Sequence, residues 1–308
     1  MTAADHAVEF EDVRKSFGAT KAVDGLSFAV ARGEMFGVIG PDGAGKTTSL
    51  RLICGLLAPD AGRVRLFGVE PFVDRRTATS SIGYLSQRFS LYGDLSIDEN
   101  VAFFAEIHGV RDFASRRARL LDLTGLTRFR DRLADHLSGG MKQKLALACT
   151  LVHEPRMLVL DEPTTGVDPV SRREFWKLLA EFLGEGLTII MATPYLDEAE
   201  RCGRVVLVNQ GRLLALEDPK RLITSMHGTI LEVVATPVRD ALHALRERLG
   251  RERVQLFGDR LHVRVEAPGD AGGVAAELER AGFAGAHVRP IVPTLEDVFI
   301  EQLAGTRS

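Results

Sequence analysis

The stretch Gly40-Pro41-Asp42-Gly43-Ala44-Gly45-Lys46-Thr47-Thr48 fits the spacing GxxxxGK[ST]. It follows the apolar run Met35-Phe36-Gly37-Val38-Ile39 and precedes a helical pattern over 47–57, so the order strand, loop, helix is predicted. Glycines let such a loop curl until successive N–H groups point inward, and the helix behind aims the positive end of its dipole at the same place. An anion belongs in that nest. Lys46 would add a point charge at the β and γ phosphates of a nucleotide, and the Thr47 hydroxyl would ligate Mg²⁺.

Three further groups have types and spacing that suit the same chemistry. The run Arg156-Met157-Leu158-Val159-Leu160-Asp161-Glu162-Pro163 is continuously apolar and ends in two carboxylates, the pattern of a buried parallel strand. Asp161 would hold Mg²⁺, directly or through water, and Glu162 would accept a proton from a water attacking the γ phosphate. Gln87 ends the strand Ile82-Gly83-Tyr84-Leu85 and could reach Mg²⁺ or that water through its amide; it could equally be a solvated polar residue. Leu137-Ser138-Gly139-Gly140-Met141 opens an apolar helix. An N-cap explains Ser138, but two adjacent glycines weaken a helix unless a backbone must come close to something. Phe17, in Lys15-Ser16-Phe17-Gly18, is a turn aromatic that either covers the edge of the core or offers a flat face to an adenine ring.

The elements that must position these residues follow from periodicity. Alternating segments between residues 6 and 30 predict antiparallel strands ahead of the loop strand, and a turn at 58–62 leads into a strand at 63–67. Residues 96–149 change to a helical pattern and form an inserted subdomain, about 88–150. Its arginine-rich span, 111–132, is interrupted by Asp112, Asp122 and Asp131 and reads as a solvated helix face. A buried strand at 187–192, a helix at 196–202 and a hairpin around Gln210-Gly211 complete a first domain, 1–222. Past Pro219 the pattern resets. The order strand, helix, strand, strand, helix, strand over 228–308 predicts an accessory βαββαβ domain, a ferredoxin-like α+β sandwich with a short terminal helix. No cluster of catalytic residue types occurs in it, and His243, His262 and His287 read as isolated surface or boundary residues.

Bulk composition narrows the class. The 308 residues are 45% hydrophobic and 26% charged with net charge -3, which gives no electrostatic reason to expect nucleic-acid binding. Cys54, Cys149 and Cys202 are far apart and odd in number, so neither a disulfide framework nor a zinc site is expected, and a reducing cytosol fits. No apolar run approaches the roughly 18 to 20 residues needed to cross a bilayer, and the first eleven residues lack a signal-peptide pattern.

Taken together, the phosphate loop, Gln87, Leu137-Ser138-Gly139-Gly140, the strand ending at Asp161-Glu162-Pro163 and then Gly166-Val167-Asp168 resemble the ATP-binding subunit of ABC transporters over about residues 7–218. The segments Tyr84-Leu85-Ser86-Gln87-Arg88-Phe89-Ser90-Leu91-Tyr92 and Pro293-Thr294-Leu295-Glu296-Asp297-Val298-Phe299 look like the bacterial ABC-2 drug-exporter branch, whose ATPase is separate from its permease. The resemblance implies an α/β P-loop NTPase fold: a RecA-like core with an antiparallel β subdomain and the helical insertion. It implies ATP and Mg²⁺ as ligands and a head-to-tail homodimer. In that dimer Ser138 and Gly140 of one copy grip the γ phosphate held by Gly43, Gly45, Lys46, Thr47 and Thr48 of the other, and Gly40, Asp42, Ala44 and Gly139 complete the nucleotide-binding residues. It places Phe17 against the adenine, Gln87 where nucleotide state is coupled to an integral-membrane permease, Asp168 at the dimer seam, and the chain on the inner face of the cell membrane. No nucleic-acid partner is implied. One position departs from the pattern: Pro194 stands where the family usually has a histidine at the γ phosphate, and proline offers neither a side-chain donor nor an N–H.

Overall fold

The computed structural model describes residues 6–87 and 91–305, so Arg88, Phe89 and Ser90 of the exporter-like segment lie outside the described residues. The chain divides into two compact units, Met1–Leu216 and Glu217–Ser308, a boundary a few residues earlier than the expected 222. The reason is local: a short helix that begins at Pro219, capped by Asp218, packs on the last helix of the second unit.

In the first unit β1 (His6–Phe17) and β2 (Thr20–Ala31) form a long antiparallel hairpin. Next come β3 (Met35–Ile39), α1 (Lys46–Ile53), β4 (Ala61–Leu66), α2 (Arg75–Ser81) and β5 (Ile82–Leu85). The inserted helices are α3 (Ile97–Ile107), α4 (Ala114–Leu123) and α5 (Gly139–Leu151). The unit closes with β6 (Met157–Asp161), α6 (Pro169–Gly184), β7 (Thr188–Thr193), α7 (Leu196–Ala199), β8 (Arg204–Asn209) and β9 (Arg212–Glu217). A three-stranded antiparallel sheet has the order β2-β1-β4, and a six-stranded sheet has the order β5-β6-β7-β3-β8-β9. Strands β3, β5, β6, β7 and β8 run parallel. Every residue of β3, β6 and β7 is buried, as continuous apolar runs in a parallel sheet require. Crossing between these central strands therefore brings Ile39, Asp161 and Thr193 out at one end of the sheet. Phe10, Phe28 and Phe36 stack in succession and join the hairpin sheet to the parallel sheet through one core.

Local chemistry fixes the helix starts. Ser96 and Glu99 form a reciprocal capping box at α3. Asp168 caps α6, whose first position is Pro169, the arrangement that favours an abrupt start. Helix α6 has no counterpart among the elements read from the sequence; its apolar face, Phe175, Trp176, Leu179 and Phe182, is buried in the unit.

The second unit contains α8 (Pro219–Thr224), β10 (Thr229–Val234), α9 (Val238–Leu249), β11 (Val254–Phe257), β12 (Arg260–Val265), α10 (Ala271–Arg280), β13 (His287–Ile291) and α11 (Leu295–Gly305). Its antiparallel sheet, ordered β11-β12-β10-β13, is that of a ferredoxin-like sandwich. Leu231, Val233, Leu261 and Val263 face Leu242, Leu245 and Leu278 of the two covering helices. The alternate residues lie on the other face. There His262, expected to be an isolated surface or boundary residue, is buried instead: its Nδ1 is 2.8 Å from Asp297 of α11 and its ring stacks on Phe257 at 3.9 Å. Burial would raise the Asp297 carboxyl, but the bonds from His262 and Thr294 outweigh it and hold the group below the usual aspartate range.

Candidate nucleotide site

The loop between β3 and α1 carries Gly40 to Thr48, with Pro41, Asp42 and Gly43 exposed and Ala44 and Lys46 buried. Gly45 has φ 104°, and a Cβ there would lie 2.1 Å from the carbonyl oxygen of Ala22 in β2. Only glycine fits that contact. The Ala44 carbonyl accepts from Gly211 N, and the Gly211 carbonyl accepts from Asp24 N, so the loop is pinned to the hairpin and to the β8–β9 turn. The Lys46 ammonium donates to the Gly40 and Pro41 carbonyls at 2.8 and 3.0 Å, which holds the charge inside the curl of the loop.

Four more predicted residues meet there. The Thr47 hydroxyl donates to Asp161 Oδ1 at 3.0 Å, and the Tyr84 hydroxyl reaches Asp161 Oδ2 at 3.4 Å. Burial raises the Asp161 carboxyl above its ordinary value, although those two hydrogen bonds oppose the shift. The Gln87 amide donates to Glu162 Oε2 at 2.9 Å, the Thr165 hydroxyl lies 3.4 Å from the same oxygen, and Lys46 Nζ is 3.9 Å from Oε1. Glu162 has φ 50°, a left-handed conformation that strains a side-chain-bearing residue. Its N–H donates to the Ala192 carbonyl at the end of β7, which holds that conformation and turns the carboxylate toward Gln87 and Lys46.

A hydroxyl and a buried carboxylate 3.0 Å apart suit a hard divalent cation. Among the described residues no three His, Cys, Asp or Glu side chains form a cage of their own. That is the arrangement Mg²⁺ favours, since it retains waters and takes phosphate oxygens as remaining ligands.

The other predicted residues lie outside this cluster. Ser138 is exposed and caps α5 by accepting from Met141 N at 3.3 Å. Gly139 is exposed, with nothing within 4 Å of the point a Cβ would occupy. A Cβ on Gly140 would meet the Ser171 hydroxyl at 2.1 Å, so the close approach expected of this glycine pair is made, at Gly140, to α6 of the same chain. Asp168 accepts from Val170 N and Ser171 N, both at 3.0 Å, and the Ser171 side chain, with these backbone bonds behind it, draws its carboxyl below the usual range. Phe17 ends β1, paired with Thr20, and is 50% exposed with the Lys15 ammonium 5.9 Å from its ring centre. Two residues beyond Thr20, Ala22 touches the loop, so this hairpin end flanks the phosphate nest.

Glu198 was not singled out by the sequence. It is fully buried and accepts from Thr164 and from Thr193 at 2.7 Å, with Arg172 Nε at 2.9 Å. These bonds tie the segment after Glu162, the end of β7 beside Pro194, and α6 together. A glutamate in a charged stretch, Asp197-Glu198-Ala199-Glu200-Arg201, carries no signal of burial.

A glycine loop feeding a helix, a lysine curled into it, and two acids at the end of the neighbouring parallel strand define a nucleotide-binding cassette. The family described as ABC transporter matches residues 23–165. The chain is 42% identical over 304 residues to the "Nod factor export ATP-binding protein I" of Paraburkholderia xenovorans (strain LB400), covering 96% of each. It is 40% identical over 311 residues to the "Probable multidrug ABC transporter ATP-binding protein YbhF" of Escherichia coli (strain K12), covering 98% of this chain but only 53% of that relative's length. Among solved structures, cbiO1 from Clostridium perfringens, part of the ABC transporter complex cbiONQ, superposes with TM-score 0.67 and 29% identity over 80% of this chain and 97% of that one. The dimeric post-hydrolysis state of the cassette MJ0796 bound to ADP and Pi gives TM-score 0.62 and 26% identity over 68% of this chain and 98% of that one. The chain belongs to the ATP-binding proteins of ABC transporters.

Proposed function

We propose that this chain hydrolyses ATP to drive a separate membrane permease of an export system, with two copies closing head to tail on the nucleotide. The observation that carries the reading is the meeting of Lys46, Thr47, Asp161, Glu162 and Gln87 at one end of the parallel sheet. The α5 start, by contrast, leaves Ser138 and Gly139 exposed and packs Gly140 on α6 instead of on that loop. A nucleotide held by the loop of one copy would thus receive the Ser138 hydroxyl and the α5 dipole from the other. Asp168 lies at the same face, and Phe17 flanks the adenine end.

In the proposed reaction a water oxygen bonds to the γ phosphorus, and the bond from that phosphorus to the β–γ bridging oxygen breaks. The bridging oxygen keeps the electron pair, and ADP and phosphate result. Glu162 takes the proton of the attacking water. Gln87 orients its carboxylate through the 2.9 Å bond, and Lys46 neutralises charge on the β and γ phosphates. Thr47 and Asp161 would hold Mg²⁺, which when bound spreads the negative charge of the triphosphate oxygens. Gln87 would sense that occupancy through its bond to Glu162.

The permease assignment draws on the names of two relatives, one a multidrug ABC transporter protein and the other a Nod factor export protein, and on the ABC-2-like segments of the sequence. Among the described residues no helix is long and apolar enough to cross a membrane. The permease would supply the membrane path and choose the cargo, and this chain would work from the inner face of the cell membrane, where ATP is available. The second unit would act as an accessory that buttresses the pair. A second reading, an ATP-gated clamp with little hydrolysis, is favoured by Pro194, which has no donor, and by Thr193, whose hydroxyl is taken by Glu198. Phosphate release from purified protein separates the two: the motor reading expects turnover that Glu162→Gln abolishes while ATP traps a dimer. Release no faster than in that variant selects the clamp.

A further inference from the structure

A cleft of about 330 Å³ opens in the first unit at the far end of the parallel sheet from the phosphate loop. Arg156 immediately precedes β6 and Thr188 begins β7, whereas Asp161 and Glu162 lie at the other end of β6. Five strand residues separate the two sites by about 16 Å. The cleft is therefore distinct from the nucleotide site, and its volume is in the range of small-molecule pockets.

Its charges do not cancel. Four arginines and two glutamates line it. Arg116 pairs with Glu154 at 2.6 Å and Arg119 with Glu185, and these two bridges brace α4 against the segments before β6 and after α6. Arg32 and Arg156 have no carboxylate within ion-pair distance among the described residues. Both guanidinium groups instead lie on one ring, that of Phe67, at 5.6 and 3.9 Å from its centre. Phe67 is itself held in place: its φ is 48° and its N–H donates to the Ala7 carbonyl at 2.7 Å. Two cations without a carboxylate partner thus line one cleft, each within 6 Å of the same ring. Leu120, Leu151, Phe182 and Leu187 supply an apolar wall.

We propose that this cleft binds a small carboxylic acid with an apolar body, the carboxylate on Arg32 and Arg156 and the body against Leu120, Phe182 and Leu187. A guanidinium fork matches a carboxylate in two-point geometry, and the apolar wall rewards a body that a simple inorganic anion lacks. The site needs no nucleotide, metal or second copy, so it stands whether or not the transport reading does.

Calorimetric titration of the full chain with octanoate, octanol and inorganic phosphate tests it. Octanoate should bind saturably at one site per chain, with octanol and phosphate each at least tenfold weaker. Arg32→Gln and Arg156→Gln should each weaken octanoate at least tenfold while leaving ATP binding unchanged, since both side chains are exposed and outside the nucleotide loop. Equal affinity for octanol or for phosphate would overturn the proposal, as would arginine variants that bind octanoate normally. A sedimentation arm compares phosphatidylglycerol with phosphatidylcholine vesicles. Arginine-dependent retention on the anionic vesicles without saturable octanoate binding would replace the small-molecule site with a lipid-surface contact.

Discussion

The loop end of the parallel sheet and the outer face of the C-terminal sheet both gather carboxylates, and they differ in what holds them. At the loop, Asp161 is held by two hydroxyls and Glu162 by an amide, with Lys46 no nearer than 3.9 Å. On the C-terminal sheet Glu232 accepts from Arg260 and Arg289, Glu301 from Arg264, and Asp297 from His262. Neutral donors orient a carboxylate and leave its charge available to a cation or a proton. Guanidinium and imidazole partners spend that charge on holding the fold. Strain follows the same division: Glu162 is left-handed, and none of the acids on the C-terminal sheet is.

Four substitutions or conditions break or sharpen this contrast. Gly45→Ala should have the largest effect, because the added methyl meets a backbone carbonyl at 2.1 Å that cannot swing aside. Titration with a fluorescent ATP analogue should detect no binding, and near-normal affinity would mean the hairpin does not hold the loop. Glu162→Gln keeps the shape and the hydrogen-bonding partner but removes the proposed base, so hydrolysis should fall by about 10²–10⁴-fold with ATP binding preserved. Hydrolysis at the unmodified rate would remove Glu162 from the chemistry.

On the opposite side of the comparison, His262→Ala leaves Asp297 buried without its ring partner. It should cost the second unit about 3 kcal/mol in urea denaturation while ATP turnover per folded molecule is unchanged. A tenfold loss of turnover in folded protein would show that the C-terminal charges serve the chemistry after all. The smallest effect concerns pH. Burial, reinforced by neighbouring His108 and Arg116 and opposed by the bond to the Ile82 carbonyl, holds His153 down to about 4. The unfolded chain, with an imidazole near 6.5, then binds a proton that the folded chain refuses between pH 6.5 and 4, so stability should fall as pH falls through that window. His153→Gln should flatten that slope in denaturation curves taken at pH 7.5 and 5.0, and an unchanged slope would assign it to other groups.

Much of the architecture was legible because it rests on local rules. Continuous apolar runs marked β3, β6 and β7, glycines and a lysine marked the loop, and alternation marked the βαββαβ order. Helix α6 escaped notice because its first turn, Pro169-Val170-Ser171-Arg172-Arg173, is polar and largely exposed, and its buried face begins only at Phe175. His262 escaped because its partner lies 35 residues away on another element.

Residue types and spacing along the chain were enough to mark a candidate phosphate loop and the strands that carry it, since turn chemistry and hydrophobic period act between near neighbours. Whether Gln87 would reach Glu162, Tyr84 reach Asp161, or Glu198 be buried among two threonines and Arg172 was decided only by folding. Those contacts join strands and helices 5 to 77 positions apart, and their geometry comes from how parallel strands align in the sheet and how α6 packs, which no local pattern encodes.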